Sequence, residues 1–410
     1  MKKTFILLPV IALGITYLSW SPDLYASNTG GKKRLVALGY GHSSAVSPSG
    51  GVKCLGSNNL GELGVGDCKK GPKRQGPTRY SDVPVSPVGL SNEATAVAVG
   101  AFQTCIITKS GGVKCWGSNQ AGALGIGIDS DTANLPENCF DTMGMEYPAS
   151  TKPVNVKGLS SGVIDIDIGQ LMVCAVTKAG KVKCWGFLTP GQDSSSAVPK
   201  DIPGVSGAKT VSVNTVHACV LLSSGEVKCW GTNEGGQIGI GTVSELVKTP
   251  ATVKGISDAV DIATGFYHSC AVLSSGEVKC WGCNLDSALG VSDDSLTETE
   301  MERQDWKVST TPVTVPNITD AVQIEAGMSN TCVLTSQGAV KCWGSNFEQG
   351  QVVEGLESDI VSIAVEGYTV CGMTSDGRVK CRGQNTFGIC GQPYNGNEDI
   401  IPAKEAPNFP

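Results

Sequence analysis

One thirteen-residue phrase returns seven times along the chain. It reads SAVSPSGGVKCLG at Ser44–Gly56, CIITKSGGVKCWG at Cys105–Gly117, CAVTKAGKVKCWG at Cys174–Gly186 and CVLLSSGEVKCWG at Cys219–Gly231. It continues as CAVLSSGEVKCWG at Cys270–Gly282, CVLTSQGAVKCWG at Cys332–Gly344 and CGMTSDGRVKCRG at Cys371–Gly383. A repeated unit constrains the fold before any single residue is weighed, because one copy cannot bury its apolar face alone and copies must stack. It also sorts the signals. A residue present in every copy serves the repeat, whereas a residue in one copy is free to serve a partner.

Each copy reads as a β-hairpin. In the fifth, Cys270–Leu273 and Glu277–Trp281 are β-prone runs around Ser274-Ser275-Gly276. A three-residue hairpin loop needs a left-handed residue at its third position, which Gly adopts without a Cβ clash, and all seven copies have Gly there. The loop predicts a register: Leu273 opposite Glu277, Val272 opposite Val278, Ala271 opposite Lys279 and Cys270 opposite Cys280. The cysteines then meet at a non-hydrogen-bonded site, with Cα atoms about 4.5–5.5 Å apart, which a disulfide can bridge. Six copies hold both cysteines, always ten apart. The expected bridges are Cys105–Cys115, Cys174–Cys184, Cys219–Cys229, Cys270–Cys280, Cys332–Cys342 and Cys371–Cys381. The first copy has Ser44 opposite Cys54.

An apolar segment precedes each hairpin, as in Val97–Gly100 and Val260–Gly265. A Gly-rich turn follows, as in GSNQAGALGIG (Gly117–Gly127), then a Pro-containing extended stretch, as in TPATVKG (Thr249–Gly255). That makes about four short strands per unit, without convincing helical periodicity. Four-stranded units repeated radially remove long sheet edges. The fold class expected is all-β, a seven-bladed β-propeller, with repeats near 35–95, 96–163, 164–208, 209–259, 260–321, 322–359 and 360–410. A parallel β-helix is the rival, but its coils are shorter and lack tight hairpins.

Gly265, His268, Cys270, Ala271, Val272, Leu273, Gly276, Val278, Trp281 and Gly282, with Asn284 after them, form a pattern that resembles the RCC1 (regulator of chromosome condensation) repeat. The resemblance covers nearly the whole chain after its N-terminal leader and implies an RCC1-like seven-bladed propeller. The paired cysteines depart from the usual eukaryotic form and are similar to a variant in exported bacterial proteins. The third copy breaks the pattern after Gly186, where FLTPGQDSS replaces the Gly-rich turn, and the seventh has Arg382 in place of Trp. Similar propellers support guanine-nucleotide exchange on small GTPases and inhibition of β-lactamases. The contact residues of neither activity match this chain position by position.

The N-terminus, MKKTFILLPVIALGITYLSWSPDLYA, has a basic start, an apolar stretch and a candidate cleavage site after Ala26. It reads as a secretory signal peptide over 1–26, leaving 27–410 as a single propeller domain in the periplasm or outside the cell. Leu24 is a less usual occupant of its position, so an uncleaved anchor is the alternative. Beyond the leader no apolar run is long enough to span a membrane. Seventeen cysteines agree with export, because matched pairs persist in an oxidising compartment. Two facing thiols supply only half of a tetrahedral shell, and no metal or other cofactor is expected. Cys54, Cys68, Cys139, Cys283 and Cys390 are left over, an odd number. Corresponding insertions suggest Cys68 with Cys139, and ring closure suggests Cys54 with Cys390. A formal charge of −7 argues against a general nucleic-acid or anionic-membrane binder.

The only histidines, His42, His217 and His268, occupy equivalent positions in three units. A ring spreads such positions apart, so they read as structural rather than as a catalytic or metal trio. The repeated tryptophans read as packing between blades. The Gly pairs open no helix and precede no Gly-Lys-Ser/Thr, so they read as turns. No serine stands in a nucleophile elbow and nothing singles out a carboxylate pair, so no enzyme is expected.

The non-repeated insertions are more informative. Unit one inserts CKKGPKRQGPTRY, with Lys69, Lys70, Lys73 and Arg74; unit two inserts the acidic DSDTANLPENCFDTMGMEY. Unit five inserts SDDSLTETEMERQDW, with Asp293, Asp294, Glu298, Glu302 and Trp306. All leave the same point of the repeat, so all should reach one face, where repeat scaffolds bind partners. The bland alternative is that the first two attract each other as solvated decoration. The leading expectation is an exported, monomeric scaffold or inhibitor that binds a protein or peptide without catalysis. The alternatives are an exchange-factor-like regulator of a small GTPase, a propeller hydrolase or lyase, and a surface adhesin.

Overall fold

The computed structural model describes residues 34–68, 73–75, 78–128, 137–140, 145–188, 195–301, 304–394 and 400–406. The leader expected over residues 1–26 lies outside these residues, as do Lys69, Lys70 and Glu302. The chain is an all-β propeller of seven antiparallel sheets. Its innermost strands are Val36–Leu38, Ala94–Val99, Val163–Ile168, Ala208–Val213, Ala259–Thr264, Ala321–Ala326 and Ile360–Glu366.

Blade 5 shows how one repeat makes a blade. Ala259–Thr264 pairs with His268–Leu273, which pairs with Val278–Cys283, which pairs with Gln304–Thr314. The hairpin register is the one expected, with Cys270 opposite Cys280, Ala271 opposite Lys279 and Val272 opposite Val278. Gly276 sits at φ +83°, and a Cβ there would lie 2.5 Å from the Thr319 carbonyl oxygen, so both conformation and space demand glycine. All six ten-apart bridges form, each with Cα atoms 4.1 Å apart.

The core lies between blades rather than within them. One buried cluster joins Ile107 and Val113 of blade 2 to Val173 and Trp185 of blade 3. Another joins Leu221 and Val227 of blade 4 to Ile262 and Trp281 of blade 5. Trp116, Trp185, Trp230, Trp281 and Trp343 are all buried in these seams. The ring closes by packing, since Leu55 and Val36 of blade 1 share a cluster with Met373 and Ile389 of blade 7, whose four strands come from its own repeat.

Two sequence expectations need correction. The insertions of blades 1, 2 and 5 supply strands rather than plain loops: Lys73–Gln75, Glu137–Phe140 and Thr297–Met301 each add a fifth strand at the outer edge. The repeat ends in an unpaired edge, and an insertion of sufficient length satisfies it. Cys68 and Cys139 are bridged as expected, with Cα atoms 5.8 Å apart. Cys54 and Cys390, however, are not bonded to each other. Both are buried in the ring-closing cluster outside any disulfide, as Cys283 is in blade 5. Ser44 Oγ donates to Cys54 Sγ at 2.7 Å in place of a bridge.

Ser44 and Cys54 occupy the register of a bridged pair. Ser44→Cys is therefore expected to close another hairpin disulfide, lowering the titratable thiols in the denatured protein from three to two. The closed ring should add about 2.5–3 kcal/mol in the chain-entropy model, read as a higher denaturation midpoint. An unchanged thiol count would show that blade 1 does not hold this register.

Candidate functional site

Three junctions between blades share one polar node. In blade 5, Gly265 leaves room for the His268 ring, since a Cβ there would fall 2.1 Å from its Cε1. His268 Nε2 meets Thr331 Oγ1 of blade 6 at 2.9 Å. Thr331 donates back to the Ala288 carbonyl of blade 5, which also accepts the Trp343 indole N–H of blade 6. The same node joins His42, Thr104, the Glu62 carbonyl and Trp116, and again His217, Ser269, the Gln237 carbonyl and Trp281. The hydroxyl donates to the carbonyl, so histidine supplies the proton from Nε2. The histidines are thus structural. Trp230 faces blade 3, which lacks the Gly-rich turn, and its indole has no partner among the described residues.

The innermost strands surround a central cavity of about 240 Å³. Carboxylates from one strand cap backbone N–H groups of the next: Asp165 accepts from Val211 N, Asp167 from Val213 N and Asp261 from Ile324 N. Arg34 lies among them, with Nη1 3.1 Å from Asp167 and 3.9 Å from Glu325, and Nη2 donating to the Val211 carbonyl at 2.7 Å. Burial pushes the Asp167 carboxyl up to about 6, against the pull of Arg34. At the rim, burial raises Glu366 to about 7.

Antiparallel order places the loops after each innermost strand at the same end as the insertions. Tyr40, Phe102, Phe266 and Met328 line the cavity from these loops, and Tyr368 occupies the corresponding loop of blade 7. Tyr40 is 71 % exposed, Met328 49 % and Tyr368 39 %, an unusual clustering of large apolar groups. Sequence reasoning missed this ring because its members alternate between two loop positions.

Of the sequence-predicted binding residues, the structure uses several locally. Glu298 pairs across its hairpin with Lys307 at 2.6 Å. Asp293 accepts from Asn284 Nδ2, and Asp294 N–H is capped by Ser292. Trp306 stacks edge-on against Tyr267, 5.3 Å between centroids, tying this insertion to the mouth loops. Lys73 and Arg74 lie on the strand opposite Tyr80 and Arg79, apart from the acidic insertion of blade 5. Among the described residues no His, Cys, Asp and Glu cluster could hold a metal ion, and no helix is long and apolar enough to cross a membrane.

These features define a disulfide-stapled propeller with a funnel-shaped cavity on its axis. The chain carries RCC1 repeats: models described as Regulator of chromosome condensation (RCC1) repeat match residues 94–123, 208–237, 259–287, 321–351 and 224–272. It is 27 % identical over 321 residues to the Arabidopsis thaliana RCC1 domain-containing protein RUG3, mitochondrial, covering 74 % of this chain and 65 % of that one. It is 32 % identical over 240 residues to human probable E3 ubiquitin-protein ligase HERC4, covering 57 % of this chain but 20 % of that protein. The chain thus spans less than two thirds of either relative. Among solved structures, human WBSCR16 superposes with a TM-score of 0.65 at 18 % identity, covering 84 % of this chain and 92 % of that one. Yeast RCC1 (Prp20) bound to Kap60 gives 0.64 at 17 %, covering 81 % and 78 %.

Burial lowers His42 and His217 to about 3 and His268 to about 4. The unfolded chain takes up these protons below about pH 6.5, well before the folded one, so their neutral burial loses stability as pH falls from 6.5 towards 4. Glu62, Asp167 and Glu366 act oppositely, because their raised folded values, about 7, 6 and 7, bind protons first in the folded state. A His42→Gln/His217→Gln/His268→Gln variant, using the residue natural at Gln103, should lose less stability than wild type on acidification across that window. The difference should approach roughly 1.4 kcal/mol per histidine per pH unit, measured by urea denaturation at pH 7.5 and 4.5. Parallel pH profiles would count against it.

Proposed function

We propose that this chain is an exported propeller that binds another protein at the mouth of its axial cavity and catalyses no covalent reaction. The observation that carries this reading is the ring of exposed apolar loop tips, Tyr40, Met328 and Tyr368 with half-buried Phe102 and Phe266, gathered at one end of the axis. Folding does not require those exposures, and clustered apolar surface marks an interaction site. Rigid blades hold the tips in place, so little ordering entropy opposes association. Propellers of this repeat class engage proteins: yeast RCC1 (Prp20) is seen with Kap60, and Prp20p has binding properties to Gsp1p and histones. Export is supported by the leader-like N-terminus, by seven disulfides and by the burial of the three cysteines outside them.

The test is in two parts. The full chain, expressed in a bacterium, should fractionate outside the cytoplasm with the bridges oxidised; a reduced cytoplasmic product would sink the export reading. In cross-linking from the exported fraction, a specific partner should be retained by wild type and lost at least tenfold by Tyr40→Ser/Phe266→Ser/Met328→Ser. Equal retention would remove the mouth as the binding face. Faster release of labelled GDP from a small GTPase would instead favour an exchange factor.

A further inference from the structure

The cavity beneath the apolar ring is acidic. Its lining holds three carboxylates, Asp167, Glu325 and Glu366, against the single guanidinium of Arg34. The deeper ones differ in what they already do. Asp167 caps the Val213 N–H and pairs with Arg34. Glu325 lies 3.9 Å from Arg34 Nη1 and accepts from Gln323 Nε2 at 3.4 Å, sharing with Asp167 the one guanidinium of the lining. Glu366 replaces the glycine that most repeats have at the end of the innermost strand, and among the described residues no cation pairs with it. A carboxylate set half-way out of water with too few cations is unfavourable unless a positive guest arrives. A cavity of about 240 Å³ is smaller than the roughly 300–1,000 Å³ of ordinary small-molecule sites. It suits one long side chain.

Resting on the protein-binding reading above, we infer that the mouth receives a protruding loop of the partner protein whose Lys or Arg side chain enters the acidic cavity. The aliphatic stem of that side chain lies against Phe102, Phe266 and Met328, while its head reaches Glu325 and Glu366. Tyr40 and the two Phe rings add aromatic faces that attract a cation. An acidic loop is disfavoured by the same carboxylates, which gives the mouth a sign preference as well as a shape.

The experiment uses the oxidised full chain without its leader as bait for a display library of disulfide-cyclised eight-residue peptides. Selected peptides should carry Lys or Arg beside apolar residues. Their affinity should fall tenfold or more on Glu325→Gln/Glu366→Gln, a variant confirmed by its thermal melt to be folded. n-Butylguanidinium should compete with a Kd on the order of millimolar, while neutral butyramide should not. Peptides that depend on Tyr40 and Met328 but show no basic enrichment, or that ignore Glu325→Gln/Glu366→Gln, would overturn the inference and leave the protein-binding reading standing. Peptides unaffected by the serine variant of the ring would overturn both.

Discussion

A propeller blade must hold its neighbour without sharing a strand with it. Each sheet ends at its own innermost strand, and the next sheet starts a few ångströms away with no backbone ladder between them. Everything else in this molecule answers that constraint. Apolar contact supplies the area, through tryptophans and β-branched residues that belong to two blades at once. Direction comes from the side-chain–backbone bonds that cross the seam. Near the axis, Asp165, Asp167 and Asp261 take the place of carbonyls and accept N–H groups of the following blade. Further out, a single turn carbonyl collects both a hydroxyl and an indole from the following blade.

The hairpin cystines belong to the same arrangement. Cys270 and Cys280 are buried in a cluster that also contains Ile324, Val333 and Trp343 of blade 6, so the bridge is both a staple within blade 5 and part of the seam surface. A disulfide there fixes the register of the two central strands, and a register slip would turn every seam residue to the wrong face. Blade 1 manages without it. Ser44 and Cys54 keep the register through a hydrogen bond, and Leu55 fills the place of tryptophan against blade 7.

Much of this was legible in the chain because period and hairpin chemistry are local. The glycine of each loop and the ten-residue cysteine spacing implied register, bridges and blade count. The Cys68–Cys139 bridge was legible from corresponding insertions. What failed was what depends on distance across the ring. Proximity of Cys54 to Cys390 was a correct deduction of neighbourhood, but neighbourhood does not orient two thiols for bonding. The histidines were read as structural without their partner. A comparison of consecutive repeats would have found it: His42, His217 and His268 occur where the next repeat supplies Thr104, Ser269 and Thr331, whereas Met172 is followed by Ala218 and Asn330 by Val370. The apolar ring escaped notice because no single repeat displays it, and the insertions drew attention by charge, which their own hairpins partly neutralise.

The axial carboxylates separate into two groups once the seam is understood. Asp165, Asp167 and Asp261 stand on the innermost strands where a backbone N–H of the next blade needs an acceptor, and each has one. Their burial is explained by the assembly itself, and Arg34 balances the charge where two of them lie close. Glu325 and Glu366 are instead departures from the repeat. Alanine stands at the position of Glu325 in four of the other blades and glycine at that of Glu366 in five, so the architecture tolerates small neutral residues at both. An ionisable group that burial opposes and the fold does not require changes mainly the potential of the cavity, at the end where apolar loop tips face outward. The fold therefore supplies the funnel, and these two departures from the repeat supply its sign.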